Sequence, residues 1–168
     1  MNDAEYMRLA LALAEQGRGW TAPNPMVGAV IVKDGAVIGQ GWHERYGEPH
    51  AERNALASCT ADPAGATMYV TLEPCQMCAG AIVQARIDEV VMASMNPKAG
   101  CGGSILNILE MPEFNHQVKV TRGILEEECS HMLTQFFKEL RIRNKAEKEL
   151  RKEQEQQKNL NEDLSSGQ

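Results

Sequence analysis

Two short runs hold the residue types that do chemistry on a metal: His50-Ala51-Glu52 and Pro74-Cys75-Gln76-Met77-Cys78. One imidazole and two thiolates make three ligands for zinc. Three protein ligands leave the fourth tetrahedral position open, as hydrolytic zinc requires. Zinc so held lowers the pKa of water to about 7 and supplies hydroxide near neutral pH. Glu52 lies two residues past His50 and points to another azimuth of a helix. It reaches the water or the substrate without ligating the metal, and its expected role is proton carrier. Pro74 marks a helix start, where the dipole and free N–H groups favour Cys75 and Cys78 as thiolates.

Other readings fit less well. A redox Cys-x-x-Cys pair wants no His-x-Glu upstream. A structural zinc site wants a fourth ligand, for which Cys101, in a Gly-rich loop beyond the next strand, is the candidate. Cys59 reads as a small core residue. Five cysteines, an odd number, and an acidic amphipathic N-terminus unlike a signal peptide argue against a disulfide framework. The expected compartment is the cytoplasm, and no apolar run approaches the roughly 18–20 residues of a membrane span.

The elements that must position these residues follow from periodicity and turn signals. Asn2 or Asp3 caps a first helix with an apolar stripe from Met7 to Ala14. VGAVIVKDGAVIGQGW reads as two strands joined at Asp34-Gly35, a strong hairpin signal. A short helix runs from His50 to Ser58, a third strand from Ala66 to Leu72, and a helix from Pro74 through Arg86. Glu89 to Ser94 is a fourth strand, Ser104 to Leu109 a short helical piece, and HQVKVT a fifth strand. A last helix begins near Ile124 with an apolar stripe up to Leu140. Strands alternating with helices after an initial hairpin predict an α/β fold, a three-layer α/β/α domain with a five-stranded mixed sheet. The expected division is a catalytic domain over 1–142 and, over 143–168, a charged helical extension that frays into a disordered tail.

The 168-residue chain carries a net charge of −6, unevenly spread. Up to Leu140 there are ten Lys/Arg against 17 Asp/Glu. From Arg141 to Lys158 there are seven against four. That basic stretch is available to phosphate, but its interleaved charges equally describe a solvated helix.

The His-x-Glu and Pro-Cys-x-x-Cys pair is the signature of zinc-dependent base deaminases, and nearly everything before Leu140 resembles the cytidine-deaminase-like superfamily. TLEPCQMCAGAIVQARIDEVV, NPKAGCGGS, FNHQV and EECSHMLTQFFKELR resemble the bacterial tRNA adenosine deaminases, which convert wobble adenosine to inosine. TAPNPMVGAVIVKDG and GWHERYGEPHAERNAL resemble instead the deaminase domain of bifunctional riboflavin-biosynthesis enzymes, which act on a diaminopyrimidinone ribosylamine phosphate.

The first resemblance implies one catalytic zinc ion per chain, a tRNA anticodon loop as partner and a homodimer. It places Asn96 and Lys98 in a substrate loop and Phe137 against a base. The second implies Asn24 and His43 in the base pocket, where tRNA enzymes carry asparagine at the His43 position. Ala51, between ligand and acid, is assigned to the same pocket. The expected function is deamination of wobble adenosine in tRNA. Deamination of the riboflavin intermediate, with a small pyrimidine nucleotide as partner, is the alternative. A zinc-stabilised RNA-binding module without turnover is a third reading.

Overall fold

Apolar residues alternate along the strands, and the alternation sorts them onto two faces of one sheet. The computed structural model describes residues 1–166. Its strands are β1 (Gly28–Lys33), β2 (Ala36–Trp42), β3 (Thr67–Leu72), β4 (Glu89–Ser94) and β5 (Lys119–Arg122). Their order is β2-β1-β3-β4-β5. β1 runs antiparallel to both β2 and β3, whereas β3, β4 and β5 are mutually parallel, so the sheet is mixed.

On one face Ala29, Ile31, Met68, Val70, Val90 and Met92 meet helices α2 (Ala51–Ala57) and α3 (Gln76–Gln84), through Ala51, Ala55, Ala79 and Ile82. On the other, Val30, Val32, Tyr69 and Val91 meet Tyr6, Met7, Ala10 and Leu13 of α1 (Asp3–Glu15) and Cys129 of α4 (Glu126–Ser166). The α/β/α layering and five-stranded mixed sheet expected from the order of elements are the architecture observed. α1 is closed at its start by a capping box in which the Asn2 side chain accepts from the Glu5 N–H and Glu5 accepts from the Asn2 N–H. Tyr6 and Tyr69 pack with ring centroids 5.0 Å apart, and their hydroxyls donate to the Gly35 carbonyl and the Asp3 carboxylate.

α2 carries the metal-binding motif, and its seat on β2 depends on a residue without a side chain. A Cβ at Gly41 would lie 2.4 Å from the Ala55 nitrogen and 2.7 Å from the Ala51 oxygen, both backbone atoms that cannot swing aside. Gly41→Ala is therefore expected to destabilise the fold by about 3 kcal/mol, the upper end of overpacking costs. Gly80 in α3 has nothing within 4 Å of a built Cβ. There, Gly80→Ala should add about 0.5–1 kcal/mol through helix propensity. Urea midpoints of the two variants, moving in opposite directions from wild type, check both.

Residues 104–109 are not helical. The Ser104 N–H and hydroxyl both go to the Glu73 carboxylate, and Gly102 pairs with Asn107 in an isolated antiparallel bridge, so the segment folds as a tight arch. At the other end, α4 continues to Ser166 where the fading apolar stripe predicts fraying. Lys, Arg, Glu and Gln, all good helix formers, dominate this stretch, and i,i+4 pairs Arg143–Glu147 and Lys158–Glu162 brace it. The remainder of the expected tail, residues 167 and 168, lies outside the described residues. The chain forms two compact units, 1–133 and from Thr134 onward. Among the described residues no helix is long and apolar enough to cross a membrane.

Candidate active site

Topology gathers the chemistry at one edge of the sheet. The parallel strands β3 and β4 end there, delivering Glu73-Pro74-Cys75 and the loop that starts at Met95. β1 is antiparallel to β3, so the segment entering it, Asn24 to Val27, arrives at the same edge. β2 is antiparallel to β1 and exits there into His43. The carboxyl ends of parallel strands are where open α/β sheets place their ligands.

His50 stands at the N-cap of α2 and Cys75 at the N-cap of α3, both in extended backbone conformation, with Cys78 one turn into α3. The His50 Nδ1 lies 3.6 Å from the Cys75 Sγ and 3.5 Å from the Cys78 Sγ. All three ligand atoms fall within 4.8 Å of one another. A tetrahedral zinc with ordinary Zn–N and Zn–S bonds sets N···S edges of about 3.5–3.6 Å, so the three donors fit this ion. Among the described residues no fourth His, Cys, Asp or Glu joins them. Cys101 is buried nearby, its N–H donating to the Pro74 carbonyl, but its thiol donates to the Ala99 carbonyl and is not among the converging donors.

Electrostatically the two sulfurs are unequal. The hydrogen bond from Cys78, with help from His50, lowers the Cys75 thiol to about 3. The same bond and burial push Cys78 up. A divalent cation held between the two sulfurs would favour the thiolate form of both. Its bond to Cys75 raises the His50 imidazole. Glu52 is only 3% exposed. Burial raises its carboxyl above the usual carboxylate range, as suits a group that must both take and give a proton near neutral pH.

A chamber of about 190 Å³ opens onto this centre, walled by His50, Glu52 and Cys75 and by Asn24, His43 and Asn96. That is below the roughly 300–1,000 Å³ of sites for drug-sized ligands and suits a single base. His43 is buried, and its Nδ1 lies 3.1 Å from the Pro49 carbonyl oxygen. A carbonyl only accepts, so this nitrogen carries the proton and Nε2, 3.2 Å from the Asn24 amide nitrogen, accepts from it. The relay turns the Asn24 amide one way round. Its oxygen is left to accept from a ligand, with one N–H still to donate.

The structure brings Asn24, His43 and Asn96 together with the metal ligands and Glu52. It does not bring Ala51 and Lys98 to the chamber wall: Ala51 is buried in the core between α2 and the sheet, and Lys98 is exposed on the loop. Phe137 belongs to the second unit, where its ring meets Phe136 edge-on at 5.2 Å.

Glu73 is the residue that sequence reading missed. Its buried carboxylate accepts from the backbone N–H groups of Asn96, Gly102 and Ser104 at 2.8–2.9 Å and from the Ser104 hydroxyl. Burial pushes this carboxyl up, but those four donors outweigh it and the net shift is downward. The clamp fixes the loop that carries Asn96 and Ala99 into the chamber. Its only trace in the sequence is an acid between an apolar strand and a proline.

Residues 1–94 match the cytidine and deoxycytidylate deaminase zinc-binding region. The chain is 45% identical over 153 residues to a tRNA-specific adenosine deaminase of Bacillus subtilis (strain 168), covering 86% of this chain and 94% of that one. It is 44% identical over 143 residues to the riboflavin biosynthesis protein RibD of Actinobacillus pleuropneumoniae, covering 82% of this chain but only 37% of the relative's length. In structure it is similar to a diaminohydroxyphosphoribosylaminopyrimidine deaminase/5-amino-6-(5-phosphoribosylamino)uracil reductase of Thermotoga maritima. There the TM-score is 0.70 at 38% identity, over 80% of this chain and 40% of that one.

Proposed function

The chain belongs to the cytidine and deoxycytidylate deaminase family, and from that premise we propose that it converts wobble adenosine in tRNA to inosine. The observation that carries the reading is the base-sized chamber with Glu52 and a three-ligand zinc site in one wall. Zinc bound there supplies a nucleophilic oxygen near neutral pH. Glu52 takes one proton from the attacking water and gives it to the ring nitrogen. It then takes the second from the new hydroxyl on the ring carbon and gives it to the departing amine. Oxygen thereby replaces nitrogen on the ring carbon and ammonia leaves. Asn24 and Asn96 orient the base from the side. Pro25, Val27 and Leu72 supply the apolar walls that keep bulk water out. The identity to the Bacillus enzyme supports the tRNA substrate.

One observation favours a second reading. The relay from Pro49 through His43 leaves Asn24 offering an acceptor beside a donor. A pyrimidinone presents the matching N–H and C=O along one edge, whereas adenine can match the amide only with a ring nitrogen and the amino group that the reaction removes. Deamination of the riboflavin intermediate is therefore the alternative.

The zinc-loaded protein, with Glu52→Ala as control, is incubated with a transcribed tRNA carrying wobble adenosine, and inosine is read as A-to-G in cDNA. In parallel, ammonia release is followed from the diaminopyrimidinone ribosylamine phosphate. Inosine from wild type alone supports the first reading. Ammonia without inosine replaces it with the second. His43→Asn separates the two again. The shorter amide abandons the relay, so kcat/KM on the pyrimidine is expected to fall about tenfold, the cost of leaving a buried polar group unpaired. Turnover of tRNA should be held or raised.

A further inference from the structure

Beside the base chamber lies a second, wider cleft of about 490 Å³ that shares Asn24 and His50 with it, reaches Cys78, and has Tyr46, Glu48, Arg53 and Met77 among its lining residues. A group attached to a base against Glu52 would find this cleft beside it, because the two cavities meet at Asn24 and His50. The cleft has the chemistry of an anionic sugar site. Arg53, on the outward face of α2, is exposed, and among the described residues its guanidinium makes no ion pair or side-chain hydrogen bond. It stands one residue from Glu52, on the helix that seats the metal ligand. Met77 is 61% exposed and Tyr46 62%, and both present apolar surface at the cleft.

The Tyr46 wall is held in place. Its N–H donates to the Trp20 carbonyl, and Arg45 lies over the Trp20 ring at 4.9 Å from the centroid. Glu48 adds an acceptor of the kind that reads ribose hydroxyls in nucleotide sites.

We propose that this cleft is a ribose-phosphate subsite in which Arg53 pairs with the phosphate attached to the sugar of the reacting base. It rests on the deaminase reading but not on which base is taken, because the phosphodiester of an RNA and the phosphomonoester of a small nucleotide offer Arg53 the same oxygens.

Two measurements test it. In the first, zinc-loaded protein with isotope-labelled arginine is titrated with ribose 5-phosphate and with ribose, and the side-chain resonances are followed by NMR. Arg53 is expected to shift saturably with ribose 5-phosphate alone, and Arg53→Ala removes that signal. No response at Arg53, or an equal response to ribose, overturns the subsite. In the second, Arg53→Ala is assayed on whichever substrate wild type turns over, the tRNA or the pyrimidine nucleotide, and on the matching nucleoside without phosphate. The expected result is a KM raised about tenfold for the phosphorylated substrate, with kcat within about twofold and the nucleoside unaffected. An equal loss on both forms overturns the assignment. If wild type acts on neither substrate, the functional reading fails, while the ribose 5-phosphate titration still decides the cleft.

Discussion

Replacing Glu52 by alanine is expected to reduce turnover by about 10²–10⁴-fold, the range for losing a general acid–base group, while the zinc content stays at wild-type level. The reason is position. Glu52 is buried in the chamber wall beside His50 and Cys75, so it is placed to exchange protons with a ligand. It is not one of the three donors that converge on the metal position. Its carboxyl is raised chiefly by burial, the setting that lets a carboxylate hold and release protons near neutrality. Truncation removes that shuttle and leaves the ligand triangle as it was. The measurement pairs initial rates with metal analysis on the same preparation. A variant that keeps its zinc and its rate would mean that the site does no proton chemistry, which is what a zinc-stabilised RNA-binding module predicts. A variant that loses both would mean that Glu52 supports the metal.

Much of this site is legible in the chain because its parts are local. His50 and Glu52 lie two residues apart, and Cys75 and Cys78 three apart. Each pair is read from spacing alone because a helix start turns spacing into direction. The first two strands were legible for a similar reason, since the Asp34-Gly35 turn between apolar runs is local. Only the folded sheet, by contrast, sends Ala29 and Ile31 to one face and Val30 and Val32 to the other.

What escaped is what depends on distant partners. Ser104 to Leu109 has acceptable helix composition, but Glu73, far back in the chain, takes the Ser104 and Gly102 amides and so dictates an arch instead. The Asn24–His43–Pro49 relay joins two loops, one entering β1 and one leaving β2, whose approach follows from β1 being antiparallel to both its neighbours. No periodicity carries that information. α4 fails in the opposite sense. Its apolar stripe stops near Leu140, yet propensity and i,i+4 charge pairs keep it helical to Ser166.

The second large effect is expected at Cys75. Cys75→Ala should lose zinc, with an affinity drop on the order of 10³-fold, because one of three ligands accounts for a sizeable share of the binding free energy. Activity then falls below detection. The fold should survive. Cys75 is an N-cap outside the hydrophobic core, and α2 and α3 are seated on the sheet by apolar residues, Ala55, Ala79 and Ile82 among them, that are fully buried in that core. This differs from a structural zinc site, where losing a ligand unfolds the domain.

The check is a pair of thermal melts, each run with and without added zinc. Zinc stabilises wild type by binding the native state, by about 2.7 kcal/mol at a free concentration 100 times its Kd. The Cys75→Ala midpoint should not respond to the same addition. Cys101→Ala serves as control, since its thiol donates to the Ala99 carbonyl and is not one of the donors that converge on the metal position. It should keep both its zinc and its zinc-dependent melt. If Cys101→Ala instead loses the metal, four protein ligands close the site, no open position remains for a nucleophile, and the hydrolytic reading falls with it.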